Sequence, residues 1–166
     1  MKKLFLVRHA KSSWDHPDLQ DIERPLNKRG KRDAPFMANI LKKKGISVDI
    51  IYSSPALRAF TTAEIFAKEF GISKKDIIID KDIYQSSIKY LSKIINNIPD
   101  SYNTVMIFGH NPEFTTFANH IGNRSIDIMP TCSIVGIEFE LNSWKEVERG
   151  KGNTVLFEYP KKYFTD

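Results

Sequence analysis

The chain has 166 residues, of which 41% are hydrophobic and 27% charged, and a net charge of +5. That length fits one domain with one sizeable core, and the composition argues against disorder. The longest apolar runs fall far short of the roughly 20 residues of a membrane span, and the single cysteine, Cys132, leaves no internal disulfide framework or cysteine metal cage.

Two lysines precede Leu4-Phe5-Leu6-Val7, as in a signal peptide, but Arg8-His9 ends the run after four residues. A short continuous apolar run predicts a strand covered on both faces, and a cytoplasmic protein. Residues 29–44 carry Ala34, Met37, Ala38, Ile40 and Leu41 near helical spacing, with Gly45 as the stop. Val48–Tyr52 reads as a second strand. Ser54 is then a candidate N-cap, with Pro55 in the first turn of a helix running to about Phe70 before Gly71.

Ile77–Ile79 predicts a short third strand. Residues 87–97 place Ile88, Leu91, Ile94 and Ile95 on one helical face. Thr104–Phe108 is a fourth strand ended by Gly109-His110, and a helix beginning at Asn111 or Pro112 runs to about Ile121. Residues 133–141 and 154–159 read as an antiparallel pair joined through Gly150-Lys151-Gly152-Asn153. The alternation predicts an α/β fold: a single-domain, three-layer sandwich over 1–166, with a mostly parallel sheet, helices on both faces and an antiparallel C-terminal hairpin or edge strand.

In such sheets ligands sit beyond the carboxyl ends of the strands. This sequence puts polar residues there: Arg8-His9, Ser53-Ser54 and Gly109-His110. A histidine after a buried strand is commonly just a hydrogen-bonded structural residue. Arg8 beside His9 changes the weighing, because a guanidinium offers a rigid fork of donors to phosphate oxygens and a neutral imidazole next to it can attack phosphorus. His110 holds the equivalent place after the fourth strand, with a helix N-terminus behind it. Arg58 lies one turn into its helix and is either a solvent-facing charge or a third member of the same site. The pI near 9.2 fits an anionic ligand. The lysines at 42–44 and 161–162 are dispersed and read as solvated faces, with no pattern for nucleic acid. Cys132 reads as a small buried residue rather than a reactive thiol.

Four blocks, in order over residues 4–112, resemble the histidine phosphatase superfamily. Leu6-Val7-Arg8-His9-Ala10 resembles its Arg-His-Gly signature, in the Arg-His-Ala form of the SixA-like phosphohistidine phosphatase branch. Pro25-Leu26-Asn27-Lys28-Arg29-Gly30 resembles its Leu-Thr-x-x-Gly segment, with Asn27 for the usual threonine. Residues 53–63 resemble its second arginine block, and Gly109-His110-Asn111-Pro112 its second histidine block.

The resemblance implies that His9 is the nucleophile and becomes phosphorylated, while Arg8, Arg58 and His110 bind the phosphoryl oxygens. Ser12, Asn27 and Asn111 are further substrate-contact candidates. It implies no metal and no cofactor, with fixed cations supplying the electrostatic stabilisation. Many relatives carry a glutamate as general acid where this chain has Gln85, and an amide cannot donate a proton as an acid does. Asp82 or Asp15 could serve instead, although each reads first as a solvated carboxylate. A phosphoramidate substrate would need no such acid.

The expected activity is therefore a phosphohydrolase acting on a phosphohistidine-bearing signalling protein and releasing inorganic phosphate, without nucleic-acid or membrane partners. The alternatives are a phosphatase of small phosphomonoesters and a non-catalytic phospho-ligand binding module. Only 50 residues separate Arg58 from Gly109, too few for a large roof over the pocket, which suits a protein side chain as substrate.

Overall fold

The structure, a computed structural model, describes residues 1–165. Its centre is β1 (Lys2–Arg8). Successive strand side chains point to opposite faces, so Leu4 and Leu6 enter one core layer while Phe5 and Val7 enter the other. Both layers are covered, and the run is therefore continuously apolar rather than alternating.

The other strands are β2 (Ile50–Ser53), β3 (Ile78–Ile79), β4 (Thr104–Gly109), β5 (Ile134–Phe139) and β6 (Asn153–Glu158). They form one sheet in the order β3-β2-β4-β1-β5-β6. The pairings β3–β2, β2–β4 and β4–β1 are parallel, and β1–β5 and β5–β6 antiparallel. Helices α1 (Lys28–Lys43) and α2 (Leu57–Glu69) pack on the Phe5 face through Ala34, Met37, Leu41, Ala63 and Phe66. Helices α3 (Ile88–Asn96) and α4 (Glu113–Ile121) cover the Leu4 face through Leu91, Ile95, Phe114 and Phe117. This is the mostly parallel three-layer α/β architecture the sequence predicts. Among the described residues no helix is long and apolar enough to cross a membrane.

Some boundaries shift, each for a local reason. Helix α2 starts at Leu57 with Ala56 at its cap. Ser54 is not the cap: its Oγ accepts the Ala56 N–H at 3.1 Å within the turn before the helix. The β5–β6 pair is antiparallel as expected, but the connection spans residues 140–152 and holds a 3-10 turn at Trp144–Glu146. Trp144 is fully buried and its Nε1–H donates to the Tyr102 carbonyl at 2.7 Å, so the long loop is anchored rather than reduced to a tight turn. Gly45 and Gly71 take φ of +78° and +71° where the sequence predicts helix stops.

Parallel register sets up the site. Arg8 of β1 lies opposite Gly109 of β4, and Ser53 of β2 opposite Phe108 of β4. The next residues, His9, Ser54 and His110, therefore leave adjacent strands side by side at the carboxyl edge of the sheet.

Candidate active site

The His9 and His110 rings stand with centroids 5.2 Å apart, tilted by 52°. The backbone holds His9 from both sides: its N–H donates to the Gly109 carbonyl at 3.0 Å, and its carbonyl accepts the Cys132 N–H at 3.0 Å. Its Nδ1 lies 2.7 Å from the Ala10 carbonyl, an acceptor, which assigns the proton to Nδ1 and leaves the Nε2 lone pair free. His110 Nε2 lies 2.8 Å from the Ser54 hydroxyl.

Both imidazoles are more than nine-tenths buried. Burial lowers each pKa to about 3, against an ordinary 6.5. The positive charges of Arg58 and Arg8 push the same way on both rings, and for His9 the Ala10 carbonyl opposes them. Both rings are therefore neutral at pH 7.

Arg58 sits 7% exposed on the first turn of α2. Its Nη1 donates to the Asp21 carbonyl at 2.7 Å and its Nη2 to Asp21 Oδ2 at 2.9 Å. The same Oδ2 accepts the Tyr84 hydroxyl at 2.7 Å, and Oδ1 accepts Arg24 Nη1 at 3.1 Å. The Tyr84 hydroxyl first, then the two guanidinium groups, hold the Asp21 carboxyl well below the usual carboxylate range despite its desolvation. The Tyr84 ring stands edge-on to His110 at 5.5 Å. Arg8 is bound differently. Its Nη1 donates to the Met129 carbonyl at 2.9 Å, while its Nε is buried without a partner among the described residues, as is His110 Nδ1. Buried donors are normally satisfied.

Other predicted residues have structural employment. Ser12 Oγ accepts Arg24 Nη2 at 2.6 Å. Asn27 caps α1 by accepting the Gly30 N–H at 2.9 Å, and its own N–H donates to the Lys11 carbonyl at 2.9 Å. A Cβ on Gly30 would come within 2.2 Å of that same carbonyl. The segment 25–30 thus forms the floor under the loop that follows His9. Asn111 donates to the Met129 carbonyl at 2.7 Å and accepts from Thr115, which aligns the same carbonyl that receives Arg8.

Asp82 is exposed and lines a separate depression with Tyr52, Asp80, Tyr90 and Lys93. Asp15 is exposed, and its carboxylate makes no ion pair or hydrogen bond among the described residues. Gln85 has a φ of +53°, and the residue of that segment that reaches the imidazoles is its neighbour Tyr84. Cys132 is fully buried, and burial pushes its thiol well above the ordinary value.

Sequence reasoning missed Asp21, Arg24 and Tyr84. Asp21 and Arg24 carry a faint signal, an acid three residues before a base just ahead of Pro25-Leu26. Nothing in the spacing connects Asp21 to Arg58, 37 positions on.

Neutral imidazoles flanked by guanidinium groups at the carboxyl edge of a parallel sheet define an α/β protein with an oxyanion-shaped, strand-end site. A family model of the histidine phosphatase superfamily (branch 1) matches residues 4–86. The chain belongs to that superfamily.

A chloroplastic protein of Arabidopsis thaliana, uncharacterized, is 32% identical over 87% of this chain and 70% of its own length. Phosphoserine phosphatase 1 of Hydrogenobacter thermophilus is 35% identical over 69% of this chain, which spans only 55% of that protein. The protein histidine phosphatase SixA, solved with tungstate, superposes with a TM-score of 0.80 at 18% identity, covering 93% of this chain and 95% of that one. It shares the fold.

Proposed function

We propose that the chain is a protein phosphohistidine phosphatase that works through a phosphoryl group carried on His9. The observation supporting this most directly is the pairing of His9 and His110 at 5.2 Å, both neutral, beside Arg8 and Arg58. His9 Nε2 attacks phosphorus, an N–P bond forms, and the bond from phosphorus to the leaving group breaks. Water then attacks phosphorus, a P–O bond forms as the N–P bond breaks and its electron pair returns to His9 Nε2, and inorganic phosphate leaves as the water's proton passes to solvent. Arg8, Arg58 and His110 hold the equatorial oxygens through both displacements and stabilise the charge that develops there, so the guanidinium groups supply the stabilisation a metal ion gives elsewhere.

The leaving group supports the phosphoramidate choice. The acid nearest the imidazoles, Asp21, is held ionised by Arg58, Arg24 and Tyr84. It is a poor proton donor at neutral pH, and Gln85 is no donor of that kind. A phosphorylated imidazole can take its proton from solvent on its own ring and needs less help than an alkoxide.

A second reading, a phosphatase of small phosphoesters, is favoured by the 35% identity to phosphoserine phosphatase 1. The deciding experiment mixes the protein with a histidine-phosphorylated protein and, separately, with phosphoserine, then maps acid-labile phosphoryl groups. Label on His9 with faster turnover of the phosphoramidate supports the proposal. Equal turnover by His9→Ala would overturn it.

A further inference from the structure

Beside Arg8 lies an open groove of about 390 Å³ lined, among the described residues, by five basic side chains and one acidic one. Arg8 joins it to the phosphoryl site, and Lys11, Arg29 and Lys161 line its course. The single acid, Asp33, is withdrawn: its side chain is 2% exposed, and it pairs with Arg32 at 2.8 Å and Arg29 at 4.0 Å. Lys11 and Lys161 make no ion pair among the described residues. The groove therefore concentrates positive potential next to the histidines, where low-dielectric walls strengthen it.

The rim is also apolar. Ile128, 59% exposed, lines the groove, and Trp14, 73% exposed, lies on Arg24 with the guanidinium carbon 3.3 Å from its ring centroid. Arg24 binds Asp21, which binds Arg58, so Trp14 is tied to the site through its second arginine. Exposed aromatic and aliphatic anchors around a charged cleft are the pattern of a protein interface rather than of a small-molecule pocket, which is mostly apolar and encloses its ligand.

We propose that this groove docks an acidic stretch of the phosphorylated protein substrate, lying along Lys11, Arg29 and Lys161 while the phosphoryl group enters between the histidines. The inference rests on the protein-substrate reading above and names what that protein must carry next to its phosphohistidine.

The test compares two phosphohistidine peptides, one flanked by aspartate and glutamate and one by serine and glycine. The parent should favour the acidic peptide about tenfold in kcat/KM at low salt, with the preference shrinking as salt rises. In the double variant Lys161→Glu/Arg29→Gln the ratio should fall towards one, with turnover of p-nitrophenyl phosphate within twofold of the parent. Fluorescence anisotropy of the unphosphorylated acidic peptide gives a readout independent of catalysis and should show weaker binding to the variant.

A ratio and an anisotropy unchanged by the double variant would overturn the proposal. So would a groove-dependent preference for a small bisphosphorylated polyol with none for the acidic peptide, which would assign the groove to a small polyanion. Absence of turnover with every substrate would sink the enzymatic reading while anisotropy still decides the groove.

Discussion

The two arginines at the site are held in opposite ways. Arg58 is braced: carbonyl and carboxylate oxygens of Asp21 each accept from one of its terminal nitrogens, and Tyr84 and Arg24 hold that carboxylate in turn. Arg8 has one bond to the Met129 carbonyl and a buried, unpartnered Nε, and opens onto the basic groove. One guanidinium is preorganised by an acid that an incoming phosphate must share or displace, and the other keeps donor capacity in hand. Preorganisation on one side and unspent capacity on the other suits a site that fixes the phosphoryl group by one wall and admits a bulky substrate past the other.

The largest expected effect tests whether both walls are needed. Arg58→Ala and Arg8→Ala should each lower kcat by about 10²–10³-fold, as loss of one oxyanion donor does elsewhere. Steady-state kinetics on a phosphohistidine peptide check this, and a variant within threefold of the parent would break the comparison on its side.

The next effect concerns stability. His9 and His110 have folded pKa values of about 3 against an unfolded 6.5. Between those values the unfolded chain binds more protons, so stability is greatest above about pH 6.5 and falls as pH drops towards 3. From pH 7 to 5 the loss should be about 1–2 kcal/mol per histidine, read from urea midpoints. Arg58 precedes Arg8 among the charges acting on both rings. Removing Arg58 should therefore raise the folded pKa values more, so that the loss levels off at a higher pH in Arg58→Ala than in Arg8→Ala, and levelling at the same pH would erase that asymmetry.

Asp21→Asn probes the braced wall directly. Removing the carboxylate charge should tighten competitive inhibition by inorganic phosphate, while loss of orientation lowers kcat about tenfold. If kcat and the inhibition constant both stay at parental values, Asp21 does not brace Arg58 functionally. Tyr84→Phe removes one of three hydrogen bonds to the Asp21 carboxylate and, acting on Arg58 only through that carboxylate, should cost about threefold in kcat. A loss as large as that of Arg58→Ala would instead mean that the phenol itself meets the substrate.

Much of the architecture was legible because its signals are local. Continuous apolar runs marked β1 and β4, helical spacing marked α1 and α3, and glycines marked helix ends. His9 and His110 were readable because each follows directly on a buried strand. Boundaries moved where tertiary contacts intervened. Ser54 looked like a cap because hydroxyl residues commonly cap helices, but its hydroxyl serves the turn and His110. Asn27 reads as a substrate contact, and the structure adds that its side chain caps α1 while its N–H holds the Lys11 carbonyl. Asp21 stayed hidden because its role depends on a partner 37 residues away in sequence, and no periodicity records such a pairing. Tyr84 carries no signal in the sequence because its hydroxyl acts through Asp21, 63 positions away.

The parallel ladder between β1 and β4 has a consequence for how this site tolerates sequence change. Neighbouring strands stand about 4.8 Å apart, a spacing set by backbone hydrogen bonds whatever the side chains. The 5.2 Å between the imidazoles is close to that spacing, because each follows the last residue of its strand. The aperture for the phosphoryl group is thus gauged by the main chain, so the two core layers can exchange one hydrocarbon side chain for another over long divergence while the jaws stay the same width.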